Sequence, residues 1–322
     1  MHEADLTSPS REELEAAWCW DPEDAQPRRP AMTVFRRRAR LRQARWREAN
    51  GHPIGTQPHV PVEGRPVRPV GSRIPLAYGI ETGANLLPPG ALAAARTRTS
   101  FVERHQSFDH QRLWADLLSS EALAFNLFGD VAADVRLANR SVQALAPDAP
   151  GTVTEVRFAH SPGRLDPAWL NSLRAFDAAF VLDRRDGTRG ILAVDVKYHE
   201  RLAREQPKPQ NLWRNHEVAG RSGAFDAGAI DAFSQRSEFA ELWLEHLLLL
   251  SMLQHESGEW SWGRYLVIHP AENPDMTDLV SRYREQLAED STFATMALER
   301  FAESDALPRR TARLVRDRYL PG

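Results

Sequence analysis

Apolar positions along the C-terminal two thirds of the chain follow the periods of a globular α/β protein. Apolar residues at spacings of three and four predict helices, and short apolar runs bounded by turn residues predict strands. The predicted helices lie at 111–128, 237–254, 277–287 and 293–301, with Gly129 ending the first; the predicted strands lie at 131–137, 152–158 and 263–269, and a hairpin lies at 175–198. Residues 200–230 are predicted to be a polar loop region.

The first hundred residues are rich in proline, glycine and arginine and show fewer regular patterns. One helix is predicted at 33–50, where Thr33 can cap the start and Gly51 can end the helix. Prolines and glycines recur between residues 52 and 89 and exclude a long helix there. We therefore predict an N-terminal arm at 1–100, with an Arg-rich helix and an extended Pro/Gly-rich stretch that wraps the body, followed by one domain at 101–322.

Composition narrows the classes of protein only slightly. The 322 residues carry a net charge of -3 at pH 7, so any binding to phosphate must come from local patches. The single cysteine, Cys19, excludes an intrachain disulfide and a cysteine-based zinc site. Met1 to Asp5 lack the pattern of a signal peptide, and the apolar run at 247–250 is too short to span a bilayer. A cytoplasmic protein is the expectation.

The hairpin at 175–198 carries the most informative residues. Asp186-Gly187 favours a chain reversal, and a two-residue turn there puts Asp177 opposite Val196, within one residue of Asp195 and Lys197. Residues two apart on a strand share a face, so Asp195 and Lys197 should point the same way. Two acids and a lysine then gather at one end of the hairpin.

Carboxylates beside a lysine at a strand end can hold a divalent metal and help position a water for attack on a phosphodiester. The alternative is an exposed strand-end ion pair in Asp195 and Lys197, with Asp177 only capping its strand. Tyr198 should point to the opposite face and pack in the core. His199 shares the face of the lysine and is interpreted as a partly exposed strand-end histidine. Phosphate-loop, HExxH and GxSxG motifs are absent from the sequence, and the histidines at 246, 255 and 269 form no recognisable zinc set.

In this order of elements, Phe176-Asp177 followed by Asp195-Val196-Lys197 resembles the PD-(D/E)XK, or restriction-endonuclease-like, nuclease superfamily. The segments 117–129 and 265–273 make the chain look like a poorly characterised bacterial branch of it. The resemblance implies an α/β fold with an αβββαβ core, in which helices flank a mixed sheet. It also implies a Mg²⁺-dependent nuclease, with Mn²⁺ as a substitute ion and DNA as the expected substrate.

The resemblance also implies roles for individual residues. Asp177, Asp195 and the backbone carbonyl of Val196 would hold the metal, and Lys197 would orient the attacking water or stabilise developing charge. In the superfamily further acids join from the first helix or a preceding strand, which are the predicted places of Glu121 and Glu155. Each has an alternative: Glu121 as a solvated helix position, and Glu155 as a partner of Arg157.

Two segments are candidates for contact with nucleic acid. The predicted helix at 33–50 carries Arg36, Arg37, Arg38, Arg40, Arg42, Arg45 and Arg47 against a single acid, Glu48. Arginines suit phosphate oxygens, so Arg36, Arg37, Arg40 and Arg47 are candidate DNA contacts. The loop after the hairpin adds Lys208 and Arg214, with Trp213, Arg221 and Phe225 nearby. The alternatives are a solvated face, arginines paired with acids of the main domain, and a plain covering loop.

The interpretation leaves biological role and assembly open. The bacterial resemblance implies a part in defence or DNA processing, with a homodimer or a partner protein as possible assemblies. A catalytically silent nuclease-fold module that binds nucleic acid or protein is the first alternative, and an RNA-directed nuclease is the second.

Overall fold

The computed structural model describes residues 8–26, 33–58, 62–64, 66–200 and 202–321. The segment from Met1 to Asp5, on which the signal-peptide expectation rests, lies outside these residues. Within the described ranges, no helix combines the length and the apolar character needed to cross a membrane.

A five-stranded mixed sheet organises the described part of the chain. The strands are β1 Gly55–Gln57, β2 Arg68–Val70, β3 Thr152–His160, β4 Phe176–Asp183, β5 Arg189–Val196, β6 Trp260–His269 and β7 Phe293–Ala297. The order in the large sheet is β3-β4-β5-β6-β7, and β1 and β2 form a separate ribbon. The pairs β3–β4 and β4–β5 are antiparallel, whereas the pairs β5–β6 and β6–β7 are parallel.

Helices cover both faces of this sheet. Their bounds are α1 Arg11–Ala16, α2 Val34–Ala49, α3 Leu76–Thr82, α4 Pro89–Ser100, α5 His110–Ala115, α6 Ser120–Ala132, α7 Val135–Leu145, α8 Leu212–Ser222, α9 Ala227–Ser234, α10 Ala240–Leu253, α11 Pro274–Arg284, α12 Leu298–Glu303 and α13 Arg309–Tyr319. Short 3₁₀ helices lie at Pro22–Ala25 and Pro209–Asn211. The fold prediction is confirmed, since α6, β3, β4, β5, α10 and β6 follow in the order αβββαβ.

Alternation along the strands builds two hydrophobic cores, one on each face. Even-numbered residues such as Phe180 and Val194 pack with α4, α6, α7 and α13, and the Phe35 ring of α2 joins this core. Odd-numbered residues such as Ala179 and Ala193 pack with α8, α10 and α11 on the other face. Tyr198 is buried in the first core, as the alternation predicts. Burial on both faces explains why β4 and β5 read as continuous apolar runs.

The predicted helix at 111–128 is wrong in its bounds. The chain forms two helices, α5 and α6, and the Ser119 hydroxyl caps the second by accepting from the Ala122 N–H at 3.3 Å. Gly129 does not end α6, which continues to Ala132. A Cβ on Gly129 would lie 2.3 Å from the Ala91 backbone of α4, so the glycine permits a close helix crossing.

The predicted strand at 131–137 is also wrong, because residues 131 and 132 end α6 and residues 135–137 begin α7. The Asp134 side chain caps this helix by accepting from the Arg136 N–H at 2.8 Å. Ala138, Val142 and Leu145 are buried at helical spacing. Apolar residues at the helical spacings of four and three were therefore present in the sequence. This pattern begins after the start of the apolar run that was interpreted as a strand.

Three further differences concern loops and helix ends. The region 200–230 contains α8 and the first half of α9 rather than a continuous loop, and the N-terminal hundred residues contain α1, α3 and α4 besides α2. The predicted helix at 293–301 begins as β7, which pairs in parallel with β6 from Tyr265 onward. An open strand edge on β6 accounts for this, because backbone pairing across the chain overrides a short local helix preference. Helix α13 was not predicted. The division into an arm and a domain at residue 100 stays a prediction.

Candidate active site

The hairpin brings its two acids together at the start of β4 and the end of β5. The ladder pairs Ala178 with Val194, so the next position sets Asp177 opposite Asp195, one residue from the predicted partner. The Asp177 backbone N–H donates to Asp195 Oδ1 at 3.2 Å, and the Val196 N–H donates to Asp177 Oδ2 at 2.8 Å. The turn at Asp186-Gly187 is present, and Gly187 adopts the positive φ of 80° that favours glycine.

Lys197 lies on the same face as Asp195, as the alternation predicts. Its Nζ is 3.8 Å from Asp195 Oδ2. Two acids of α10 stand on its other side: Nζ donates to Glu241 Oε1 at 2.6 Å and lies 3.6 Å from Glu245 Oε2. We call Asp177, Asp195, Glu241 and Glu245 the acid cluster. Lys197, only 7% exposed, is the cation at its centre.

Tyr265 of β6 ties two members of the acid cluster together. Its hydroxyl lies 2.8 Å from Asp195 Oδ2 and 2.9 Å from Glu245 Oε2. Burial raises the pKa of Glu245 to about 8, and the neighbouring Asp195 carboxylate adds to the effect. Glu245 therefore holds a proton at neutral pH in the metal-free protein. One hydroxyl proton cannot satisfy two carboxylates, and a proton on Glu245 removes that conflict.

The pKa values of the other charged groups in the site are also shifted from their ordinary values. Burial raises the pKa of Asp177 to about 7, against the opposing field of Lys197. Burial alone would lower the pKa of Lys197, but Glu241, Glu245, Asp195 and Asp177 together hold that pKa well above its usual range. Lys197 is therefore a permanent cation and cannot act as a general base at neutral pH.

Glu121 is one of the two additional acids expected from the sequence. It lies in the first turn of α6, where burial raises its pKa to about 7 and the nearby Arg112 opposes the shift. Its charge also contributes, as the smallest of the effects, to the raised pKa of Asp177. Glu121 therefore acts electrostatically on the acid cluster.

Glu155 is not brought to the same place. It pairs with Val181 in the β3–β4 ladder, four residues along β4 from Asp177, or roughly 13 Å at the rise of a strand. Its carboxylate instead accepts from Arg157 at 2.7 Å, which is the alternative expected from the sequence.

Arginines of α2 are committed to contacts within the chain. Arg40 donates to both oxygens of Asp24 at 2.7 and 2.6 Å, and Arg37 donates to Asp24 Oδ1 at 3.3 Å. Buried Arg47 donates to the backbone carbonyls of Gly71 at 3.0 Å and His52 at 2.8 Å. These side chains therefore do not form an exposed row of cations. Asp24, which Arg37 and Arg40 meet, precedes α2, whereas Arg47 pairs with Glu48 of α2 itself and Arg38 lies 3.9 Å from Glu272 of the predicted main domain.

Among the remaining candidates for contact with nucleic acid, some are also committed to contacts within the chain. Arg36 is part-buried, and its charge acts on the half-buried imidazole of His199 near the end of β5. Arg214 donates to the Trp169 carbonyl and to Glu217, each at 2.7 Å, so it serves the structure of α8. Lys208 is exposed and lines a small cavity. Phe225, expected in a binding loop, is buried in the core.

The donor set fits a hard divalent cation. Asp177 and Asp195 lie opposite each other and each accepts from a backbone N–H of the other strand, and the Val196 carbonyl points to the same strand edge as its N–H, which donates to Asp177. Mg²⁺ is commonly held by one or two carboxylates and keeps several waters. Among the described residues no group of three His, Cys, Asp or Glu side chains is arranged to hold a metal ion. Waters and the carbonyl would have to complete the coordination.

Glu241, Glu245 and Tyr265 were missed by the sequence analysis. Each lies in an element that was predicted correctly, but their convergence on Lys197 depends on how α10 and β6 cross the sheet. The spacing of Glu241 and Glu245, one helical turn apart within an apolar helix, was the available signal, because acids on a buried face require a partner.

A model of the family described as the PD-(D/E)XK nuclease superfamily matches residues 29–321, nearly the whole chain. Comparisons with the curated proteins and with the solved structures give no match.

Proposed function

The chain belongs to the PD-(D/E)XK nuclease superfamily, and from this membership we propose that it is a divalent-metal-dependent nuclease that hydrolyses phosphodiester bonds in DNA. One observation carries the proposal: Asp177, Asp195 and Lys197 meet at the paired ends of β4 and β5. The same residues that carry the superfamily motif are those that the hairpin assembles.

The charges of the site support a cation as part of the reaction. Five carboxyl groups, those of the acid cluster and Glu121, lie near three cations, Lys197, Arg174 and Arg112. A divalent ion held by Asp177 and Asp195 would offset much of the excess negative charge. When bound, such an ion lowers the pKa of a water and neutralises charge at the scissile phosphate.

The residues of the chain have separable tasks in this proposal. Lys197, held as a cation by its surrounding acids, donates to the attacking water or to a phosphate oxygen on which charge develops. Glu241 accepts from Lys197 at 2.6 Å and so fixes the direction of the ammonium group. Tyr265 fixes the Asp195 carboxylate through the 2.8 Å hydrogen bond. Both are positioning residues.

A substrate panel tests the proposal. Wild type, Asp177→Asn and Glu155→Gln would be incubated with duplex DNA, single-stranded DNA and RNA, each with Mg²⁺, Mn²⁺ or EDTA. We expect metal-dependent cleavage of DNA by wild type and Glu155→Gln and none by Asp177→Asn. Glu155→Gln is the matched control, because it neutralises an acid outside the site.

Other outcomes of the panel have definite meanings. Cleavage of RNA alone would replace the substrate with RNA. Tight binding without cleavage under every condition would identify a silent nuclease-fold module and contradict the proposal. Cleavage by Asp177→Asn at the rate of wild type would show that the strand-end acids are not the site.

A further inference from the structure

A small cavity lies beside the acid cluster, between α8, α10 and the chain that leads into β4. Its volume is about 270 Å³, and its walls include Lys208, Asn211, Asn215 and Leu244. Arg174 also lines it. The Arg174 guanidinium contacts Glu205 of the cavity wall at 2.7 Å and Glu245 of the acid cluster at 3.6 Å. A single side chain therefore separates the cavity from the acid cluster.

Asn215 is the unusual residue in this wall. It is 1% exposed, and among the described residues neither its Nδ2 nor its Oδ1 has a hydrogen-bond partner. Buried amides are normally hydrogen-bonded, because an unmade bond leaves the desolvation cost uncompensated. Both amide atoms are unpartnered but covered beside the cavity, so a group bound there would reach them once side chains of the wall shift.

The neighbouring amides do not share this property. Asn171 donates to Asn211 Oδ1 at 2.9 Å, and Asn211 donates to the Asn171 carbonyl at 2.7 Å, so these two residues form a closed pair. Asn215 lies one helical turn beyond Asn211 and therefore on the same side of α8. The paired amides stabilise the cavity wall, and the Asn215 amide remains available to a ligand.

We propose that this cavity binds one unpaired nucleobase of the substrate strand, next to the scissile phosphate, and that Asn215 pairs with the edge of the base. The inference rests on the proposed function above and deepens it. An amide offers a donor beside an acceptor, which matches the amino group and the adjacent ring nitrogen of adenine. Enzymes that bind an extruded base read its edge with such hydrogen bonds.

Size and surface chemistry agree with a single base. The cavity is slightly smaller than the roughly 300–1,000 Å³ of ordinary ligand pockets, so it suits one ring system. Leu165 and Leu173, 41% and 51% exposed, contribute apolar surface at this cavity for the face of a base. Lys208 is exposed at the same wall and offers an ammonium group to an adjoining phosphate.

A binding experiment tests the proposal without cleavage. Fluorescent decamers of deoxyadenylate, deoxycytidylate and thymidylate would be titrated with wild type and Asn215→Leu in Ca²⁺ in place of Mg²⁺, and anisotropy would be measured. We expect wild type to bind the adenine decamer about tenfold more tightly than the thymine decamer, and Asn215→Leu to bind the three alike. Equal affinities for wild type, or a preference that Asn215→Leu retains, would overturn the proposal. A cytosine preference that Asn215→Leu loses would keep the base site and overturn the assignment to adenine.

Thermal unfolding separates a ligand-binding amide from a structural one. Because the Asn215 amide has no partner among the described residues, Asn215→Leu should keep or raise the melting temperature. Asn126→Leu is the matched control and should lower it, since the Asn126 amide bonds to Leu87, Asn85 and Tyr319. A fall for Asn215→Leu as large as for Asn126→Leu would assign the amide to internal water and overturn the proposal. Asn215→Asp, which keeps the size and removes the donors, should also lose the adenine preference.

Different results would contradict the proposed base site and the proposed nuclease function. In Mg²⁺, sequencing the ends produced from random single-stranded DNA should show adenine enriched at one position beside the cut, and Asn215→Leu should abolish the enrichment. Cleavage without any base enrichment overturns the base site alone. Adenine-selective binding without cleavage of any nucleic acid overturns the proposed nuclease function alone.

Discussion

The acid cluster and helix α2 both concentrate charge, but they differ in how far these charges are paired in the folded protein. The cations of α2 meet buried partners: Asp24 receives Arg37 and Arg40, and backbone carbonyls receive Arg47. The acids around Lys197 outnumber the cations, and burial raises the pKa of Asp177 and of Glu245. Charge that remains unbalanced after folding indicates the candidate site, whereas density of charge along the sequence does not.

The largest expected effect removes one strand-end acid. Asp195→Asn keeps the shape of the side chain and takes away a carboxylate that faces Asp177 and Lys197. We expect the cleavage rate to fall by at least about 100-fold, as for other single electrostatic groups in active sites. The measurement is the single-turnover rate on DNA with saturating Mg²⁺, with circular dichroism as the check on folding. A rate within a factor of two of wild type would show that the acid cluster matters no more for cleavage than α2 does.

The next effect concerns the stability supplied by α2. Arg47→Met keeps an unbranched side chain but leaves the Gly71 and His52 carbonyls without their donor, and we expect the free energy of unfolding to fall by about 2–3 kcal/mol. Urea denaturation measures this change. Arg45→Met is the control on the same helix; its exposed pair with Glu13 is worth within about 0.5 kcal/mol.

The salt dependence of DNA binding tests whether the arginines of α2 are structural. If α2 is structural, Arg47→Met leaves the slope of log Kobs against log salt for DNA binding unchanged. A slope that falls by about one would mean that Arg47 contacts a phosphate, contrary to its place in the structure.

A smaller effect follows from the protonation of Glu245. Its pKa rises from an ordinary 4.5 to about 8 on folding, so the folded chain holds a proton that the unfolded chain releases. That contribution is fully present below about pH 4.5 and is lost as the pH rises toward 8. In EDTA, the free energy of unfolding should fall by about 1 kcal/mol per pH unit between pH 5 and 8. Glu245→Gln should make the profile shallower but not flat, because the raised pKa values of Asp177 and Glu121 act in the same direction. Equal slopes for both proteins would contradict the assignment.

The smallest expected effect is at Glu155, which shares its chemistry with the site acids but lies elsewhere. Its exposed pair with Arg157 stabilises the fold little, so Glu155→Gln should change the free energy of unfolding by less than about 0.5 kcal/mol. The cleavage rate should match that of wild type. A rate loss comparable with that of Asp195→Asn would show that Glu155 reaches the site in the working enzyme.

Local signals predicted the hairpin well and the segments near it poorly. Asp186-Gly187 and the flanking apolar runs are sufficient for β4 and β5, and the register was wrong by one position because the turn is longer than two residues. The segment 293–297 carries no comparable signal. It becomes a strand because β6 offers an open edge, which is a property of the assembled sheet.

The candidate site shows the same division. The spacing of Asp195 and Lys197 sets them on one face by strand geometry alone, and Asp177 follows from the turn. Glu241, Glu245 and Tyr265 come from 44 to 70 residues away in the chain from the residues of β5 and Lys197 that they contact. Their approach depends on the packing of α10 and β6.

What the sequence by itself determined is therefore the hairpin and the approach of its three motif residues, because each depends on periodicity or on contacts across one turn. Only the tertiary structure decided that Lys197 is enclosed by acids, that the arginines of α2 are neutralised, and that Glu155 stands apart. The physical reason is that the net field at a side chain sums over groups distant in the chain, and burial sets how strongly each of them acts.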